Sequence, residues 1–328
     1  MERNLVTTMT ALEVARRSSN PDAFTIIEAM SMTNTMLQEL PAVMANDGAV
    51  HTSVKRLSYP GGEHRTYNRG VKARASQTET QKDFIAILEA FSDVDEQLAA
   101  HSGNPQALYK SEALAFNVGM GIDQADDLVY GNNASNPAEI NGLATRYAKI
   151  SDRCIDFGGN YAAENGRLTS VYLIAAGPNA CHLIYPKGSA SVGVRREDLG
   201  VKRIQDPNDG KRTFMAHTDH FIAEYGLAVE HPDAVIRICN IPVKLNPAKR
   251  AELMELILEQ QMNLTVGIVN TVLFANKNII YQIERAGREA QQVMFSETDP
   301  WGKPVTTING MRFRRQDAIL STEEQVAA

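Results

Sequence analysis

An α+β architecture follows from three features of the 328-residue chain. Leu114, Val118, Ile122, Ala125 and Val129 recur at spacings of four, four, three and four, a helical stripe. Residues 171–176 and 235–241 are continuous apolar runs and read as central strands, the first closed by a Gly-Pro stop. Residues 51–75 have few apolar members, and Pro60-Gly61-Gly62 sits between two short, partly alternating runs. That segment reads as a long two-stranded finger with a basic tip.

From the N-terminus, Thr10 to Glu13 is a capping-box pattern that opens a short helix ending near Arg17. Asn20-Pro21 pairs an N-cap with proline at the first helical position, and Phe24, Ile27 and Met30 share a face of the helix that follows. The finger separates this pair from the next apolar block, so the pair reads as an arm and not a core. Residues 84–94 suit a buried strand or a strand–helix junction. Asn104-Pro105 repeats the helix-start signature, and Gly131 stops the helix. Residues 105–130 would span about 39 Å. Gly119 and Gly121 each cost about 1 kcal/mol there relative to Ala, so that face either packs closely or bends. The other face carries Asp123, Asp126 and Asp127. Asn246-Pro247 starts a further helix with Leu253, Leu256, Ile257 and Gln260 on one side. Residues 266–275 lead into a helix over 278–288, and 305–320 close the chain as β structure with Gly310 as a turn.

With 43% hydrophobic and 22% charged residues the chain can build a core. Cys154, Cys181 and Cys239 are odd in number and form no CxxC pair, which reads as three reduced thiols. No apolar run is long enough to span a membrane, and the N-terminus lacks the apolar run of a secretion signal. The net charge of −6 makes a poor general binder of nucleic acid. Charge is unevenly spread, however. Residues 51–75 carry Lys55, Arg56, Arg65, Arg69, Lys72 and Arg74 against Glu63, a net +5, whereas residues 76–130 hold ten acids against Lys82 and Lys110, a net −8.

No phosphate loop, dinucleotide fingerprint, HExxH or GxSxG is present. On a strand, His217 and Asp219 would share one face and His220 the other, so three metal ligands do not converge. Residues 206–210 lack the ring of ligands of a calcium loop and read as a hairpin turn. Cys181 and His182 are neighbours and would point to opposite faces of a strand. The carboxylates of 89–96 read as a solvated face. No catalytic, cofactor-binding or metal-ligating residue is assigned.

The chain resembles the major capsid proteins of short-tailed double-stranded DNA bacteriophages, which have the HK97-like fold. The stretches that carry the likeness are Leu88 to Leu98, Leu128 to Asn132, Asn136-Pro137, Asn141 to Leu143, Gly177 to Asn179, Tyr185 to Ser189, Glu197 to Gly200, Tyr225 to Val229, Arg237 to Ile241 and Arg315 to Leu320. The likeness implies an N-terminal arm (1–47), an extended E-loop hairpin (48–76) and a peripheral domain (77–150) with the spine helix 105–130. An axial domain (151–295) and a return to the peripheral domain (296–328) would follow. It implies self-assembly into pentamers and hexamers of an icosahedral head enclosing double-stranded DNA. Scaffolding protein, portal and decoration protein are implied as partners, and assembly in the host cytoplasm. An encapsulin-like cargo shell is the alternative, and an oligomeric α/β enzyme using His217 or Asp206 a more remote one. The charge pattern suits the first reading: a projecting finger of one subunit can lie on the acidic face of the next, a head-to-tail contact that closes into rings. Lys55, Arg56, Arg65, Arg69 and Lys72 on one side and Asp123, Asp126 and Asp127 on the other are the candidate interface residues.

Overall fold

The computed structural model describes residues 34–101, 104–158, 167–189, 192–205, 211–264, 270–289, 295–298 and 304–327. The two helices expected between residues 10 and 30 lie outside the described residues. In chain order the elements are α1 (Met36–Glu39), β1 (Ala42–Met44), β2 (Val50–Arg56), β3 (Thr78–Phe84), β4 (Ala86–Asp95), α2 (Glu96–His101), α3 (Pro105–Tyr130), α4 (Leu143–Arg146), β5 (Cys154–Asp156), β6 (Leu168–Ala175), β7 (Cys181–Tyr185), β8 (Arg195–Gln205), β9 (Thr213–Val229), β10 (Val235–Pro242), α5 (Pro247–Asn263), β11 (Thr271–Ala275), α6 (Lys277–Glu289), β12 (Phe295–Thr298), β13 (Pro304–Ile308) and β14 (Met311–Arg315).

One sheet runs β12-β13-β14-β11-β6-β10-β5. Its β6 and β10 are the two continuous apolar runs, and both are buried along their whole length. The two-residue period of β6 serves two cores at once. Val171 and Leu173 share a core with Leu253 and Ile257 of α5 and Ile279 and Ile283 of α6, while Tyr172 and Ile174 enter the core below α3. Each such side chain contributes about 1.5–3 kcal/mol by leaving water. The start of α5 follows its sequence signature: the Asn246 side chain accepts from the Lys249 amide at 2.8 Å, with Pro247 at the first helical position. Asn309 and Gly310 both adopt positive φ, 51° and 76°, the pairing that a tight primed turn requires, and the β13–β14 hairpin closes there.

The second sheet is organised by the 17-residue β9, which pairs with β4, β7 and β8, with β1 added beside β7. Residues 84–94 do form a strand, but β4 alternates and is not buried throughout. Ala86 and Ser92 face inward, whereas Ile87 and Phe91 are exposed, because α3 covers only one side of β4 and β9. The bounds of α3 agree with the capping signals, yet its inward face differs from the apolar stripe. Ala113, Asn117, Met120, Gln124, Ala125, Leu128 and Val129 are buried, while Leu114, Val118 and Ile122 are exposed. The buried face mixes two alanines with bulkier apolar and amide side chains, while Leu114, Val118 and Ile122 remain outside. Gly119 does not serve a close approach, since a Cβ there would meet nothing within 4 Å. Gly131 and Gly142 do: a Cβ on Gly131 would sit 2.5 Å from the Asp127 carbonyl oxygen, and one on Gly142 2.7 Å from it. The helix therefore ends where the returning chain crosses it, with the Gly142 amide donating to the Gly131 carbonyl at 2.9 Å.

Polar bonds tie α1 and the residues after β14 to this body. Glu39 of α1 is buried against Arg312 and Arg314 of β14. Glu323, beyond β14, accepts from the hydroxyls of Tyr130 and Ser170 and lies 3.2 Å from the Arg237 guanidinium. Val326 exchanges backbone bonds with the Asn240 side chain at 2.8 and 3.0 Å. One carboxylate thus joins the end of α3, two central strands and the tail. Removing one partner of a buried ion pair leaves the other uncompensated, at about 3–5 kcal/mol. Glu323→Ala is expected to lower unfolding free energy by that amount in urea denaturation. A loss below about 1 kcal/mol would show that the tail does not hold the body together.

Candidate assembly surfaces

β2 and β3 form a separate antiparallel ribbon, in register from Val50↔Phe84 to Arg56↔Thr78. One further backbone bond, Leu57 to Gln77 at 2.8 Å, extends it, and residues 58–76 then carry no strand. The return strand is the polar run 78–84, so Pro60-Gly61-Gly62 does not close a tight hairpin. No apolar cross-strand pairs lie between 57 and 77 to hold a longer ladder. The result is a broad tip whose Leu57, Tyr59, Tyr67 and Val71 all face solvent, Tyr67 at 97% exposure. Arg56, Arg65, Arg69 and Lys72 are exposed on it. The Glu63–Arg74 contact, at 3.7 Å and half exposed, offsets little of their mutual repulsion.

The root is held quite differently. Strand alternation turns His51, Ser53 and Asp83 inward, where all three are buried. The Asp83 carboxylate accepts from Arg146 Nη2 at 2.7 Å, and Arg146 also donates to the carbonyls of Asn141 and Leu227. Lys55 belongs to this root: burial, and then Arg146 nearby, pushes its ammonium below the usual lysine pKa. Beside it His51 Nε2 lies 2.9 Å from Glu230 Oε1, and burial pulls the adjacent His182 down to about 4. Asp83, Arg146 and Glu230 are roles the sequence did not reveal. The alternation of a polar strand was the one available signal, and it does not name a partner 63 residues away.

Asp123 and Asp126 are exposed near the end of α3, and Asp127 accepts from the Tyr225 hydroxyl. Partial desolvation by its neighbours, then repulsion from Asp123 and Asp127, raises the Asp126 carboxyl above its ordinary pKa. Burial raises Asp127 too, partly opposed by the bond from Tyr225. No basic residue occupies the last turn of α3, where the helix dipole disfavours anions. The acids expected on the face opposite the apolar stripe are not separated from it: Leu114, Val118 and Ile122 step by four residues toward Asp126, so the outward ridge is apolar and then acidic. The finger tip carries the complementary mixture, apolar and basic. Among the described residues no ion pair joins the two candidate sets within one subunit.

The remaining motifs have structural surroundings. His217 packs edge-on against Tyr109 and lies 3.6 Å from Asp198, and Asp219 pairs with Arg196 at 2.9 Å. His220, on the opposite face of β9, stacks on Phe91 between Glu89 and Glu197. Burial pushes the Cys181 thiol up to about 12, far from a ready nucleophile. Cys154 and Cys239, 85 residues apart in the chain, meet at 3.7 Å as buried free thiols. Residues 206–210 lie outside the described residues, although the flanking Gln205 and Thr213 pair as a hairpin would require.

The acidic ridge has a pH signature. An acid whose folded pKa is raised destabilises the fold where it is ionised. The penalty is absent below the unfolded value near 3.8 and complete above the folded one. Asp126→Asn is therefore expected to raise the isolated subunit's stability at neutral pH by about 0.3–1 kcal/mol. Urea midpoints should converge with the wild type as pH falls toward 3.8. A difference that persists unchanged at low pH would show that charge is not its origin.

The family model for major capsid protein GP7 matches residues 18–327. A chain in the structure of bacteriophage Epsilon15 is similar at 23% identity with a TM-score of 0.64, covering 88% of each chain. Weaker similarity extends to the holo-SrpI encapsulin complex from Synechococcus elongatus, at 11% identity and TM-score 0.43 over 64% of this chain and 88% of that one. The capsid of Myoviridae phage XM1 is similar at 12% identity and TM-score 0.40, over 63% and 92%. A search of curated protein sequences returned no match.

Proposed function

Because the chain belongs to the major capsid protein GP7 family, we propose that its finger is the element by which one subunit of the phage shell grips the next. The observation that carries this is the tip, an apolar and basic surface with no counterpart under it among the described residues, set against an apolar and acidic ridge on α3 of the same chain. A subunit presenting both halves of a complementary pair, displaced from one another, joins its copies head to tail. Rings of five and six subunits then tile an icosahedral head around double-stranded DNA. Charge complementarity sets register and encounter rate, and burial of the tip adds about 25 cal/mol per Å² of apolar surface. Each contact is weak, and the sum over many neighbours makes a durable shell. In this reading residues 48–76 with the return strand β3 are the E-loop and 1–47 an arm that ends in α1 and β1; the expected division into peripheral (77–150, 296–328) and axial (151–295) domains does not follow the sheets, since β12 to β14 share a sheet with β6 and β10, and β4 pairs with β9. Assembly occurs in the host cytoplasm, with a scaffolding protein, a portal and a decoration protein as partners. The net-negative subunit repels packaged DNA and does not trap it. The family assignment favours a phage head over a cargo shell.

Reversing the tip charges, Arg65→Glu with Arg69→Glu, is expected to leave a folded subunit and to block particle formation, seen by electron microscopy and sedimentation. Adding Asp123→Lys and Asp126→Lys should restore part of the yield. Normal particles from the tip variant at low and high salt alike would remove the electrostatic grip from this scheme.

A further inference from the structure

His182 of β7 is fully buried, and among the described residues neither of its ring nitrogens makes a bond of ordinary geometry. Leaving such a group unpaired in the interior is costly. Two side chains face it. His51 of β2 stands edge-on with ring centroids 5.4 Å apart, and Glu230, just beyond β9, places Oε1 2.9 Å from His51 Nε2. One ligand atom from each of the three falls within 4.8 Å of the other two. Glu230 is 28% exposed and borders a groove lined by Thr52, Lys55, Asn179 and His231. The groove supplies an entry path and room for a water ligand.

We propose that His51, His182 and Glu230 form a binding site for a divalent transition-metal ion that fastens the root of the finger to the β7–β9 sheet. Two imidazoles, one carboxylate and an open position suit zinc. The grouping of Asp198, His217 and Asp219 is less apt, because Asp219 is already committed to Arg196. The site stands on this geometry and not on the assignment of the finger to a neighbouring subunit.

The test uses tag-free, full-length protein stripped with a chelator, loaded with zinc chloride, dialysed and assayed by elemental mass spectrometry. Cobalt(II) serves as a spectroscopic stand-in. One zinc per chain is expected, with visible cobalt bands of a four-coordinate site. His51→Gln and Glu230→Gln should each weaken zinc binding by at least about tenfold, with unchanged circular dichroism. Where His51→Gln disturbs the fold, the more exposed Glu230→Gln decides. Absence of zinc from the folded wild type, or undiminished binding in the folded Glu230→Gln variant, overturns the site.

Discussion

The finger is firmly rooted and its tip is uncovered by any of the described residues, and the architecture turns on that imbalance. Asp83 and Arg146 pair at the root, with Arg146 also donating to the Asn141 and Leu227 carbonyls. A satisfied pair of this kind fixes direction more than it adds stability. Beyond Arg56 the ribbon has neither ladder nor cover, and a two-stranded ribbon alone is marginal in water. The direction of projection is thus set by the subunit, and the conformation of the tip is left to whatever it meets.

A lever of this kind requires a stiff base. The base is stiff because β6 lies between two cores and because buried polar groups, not loops, tie its parts together. Glu323 brings α3, β6, β10 and the tail to one point, and Glu39 holds α1 to β14. Residues distant in sequence share single carboxylates, so neither α1 nor the segment after β14 can loosen independently of the sheet. Arg146 links the finger root to the loop after α3, which Gly131 and Gly142 hold in direct backbone contact with the helix.

Much of this was legible in the sequence where a local signal existed. Asn104-Pro105 and Asn246-Pro247 marked helix starts because capping chemistry is local. The runs at 171 and 235 marked central strands because full burial demands unbroken apolarity. The turn at Asn309-Gly310 followed from glycine. The return strand of the finger escaped notice because Thr-Glu-Thr-Gln-Lys-Asp is polar on both faces and its partner alone determines its pairing. The basic and acidic candidates were visible as charge, but the bond from Tyr225 to Asp127 and the place of Lys55 at the root were not, since both depend on contacts across long separations.

The inward face of α3 is the instructive miss. Periodicity assigns the bulky apolar stripe to the core on the premise that a subunit is a complete object. Here Asn117 and Gln124 are buried while Leu114, Val118 and Ile122 look outward. A monomer selected only for its own stability would exchange them. The acids at the end of the helix go against the dipole in the same region and on the same surface. Two independent departures from single-chain stability therefore coincide on one ridge. Both are removed if a partner surface bearing apolar groups and cations covers it, and the tip of an identical chain is such a surface. The pattern that misleads as a guide to the fold of one subunit is the pattern expected when the stable unit is the assembly.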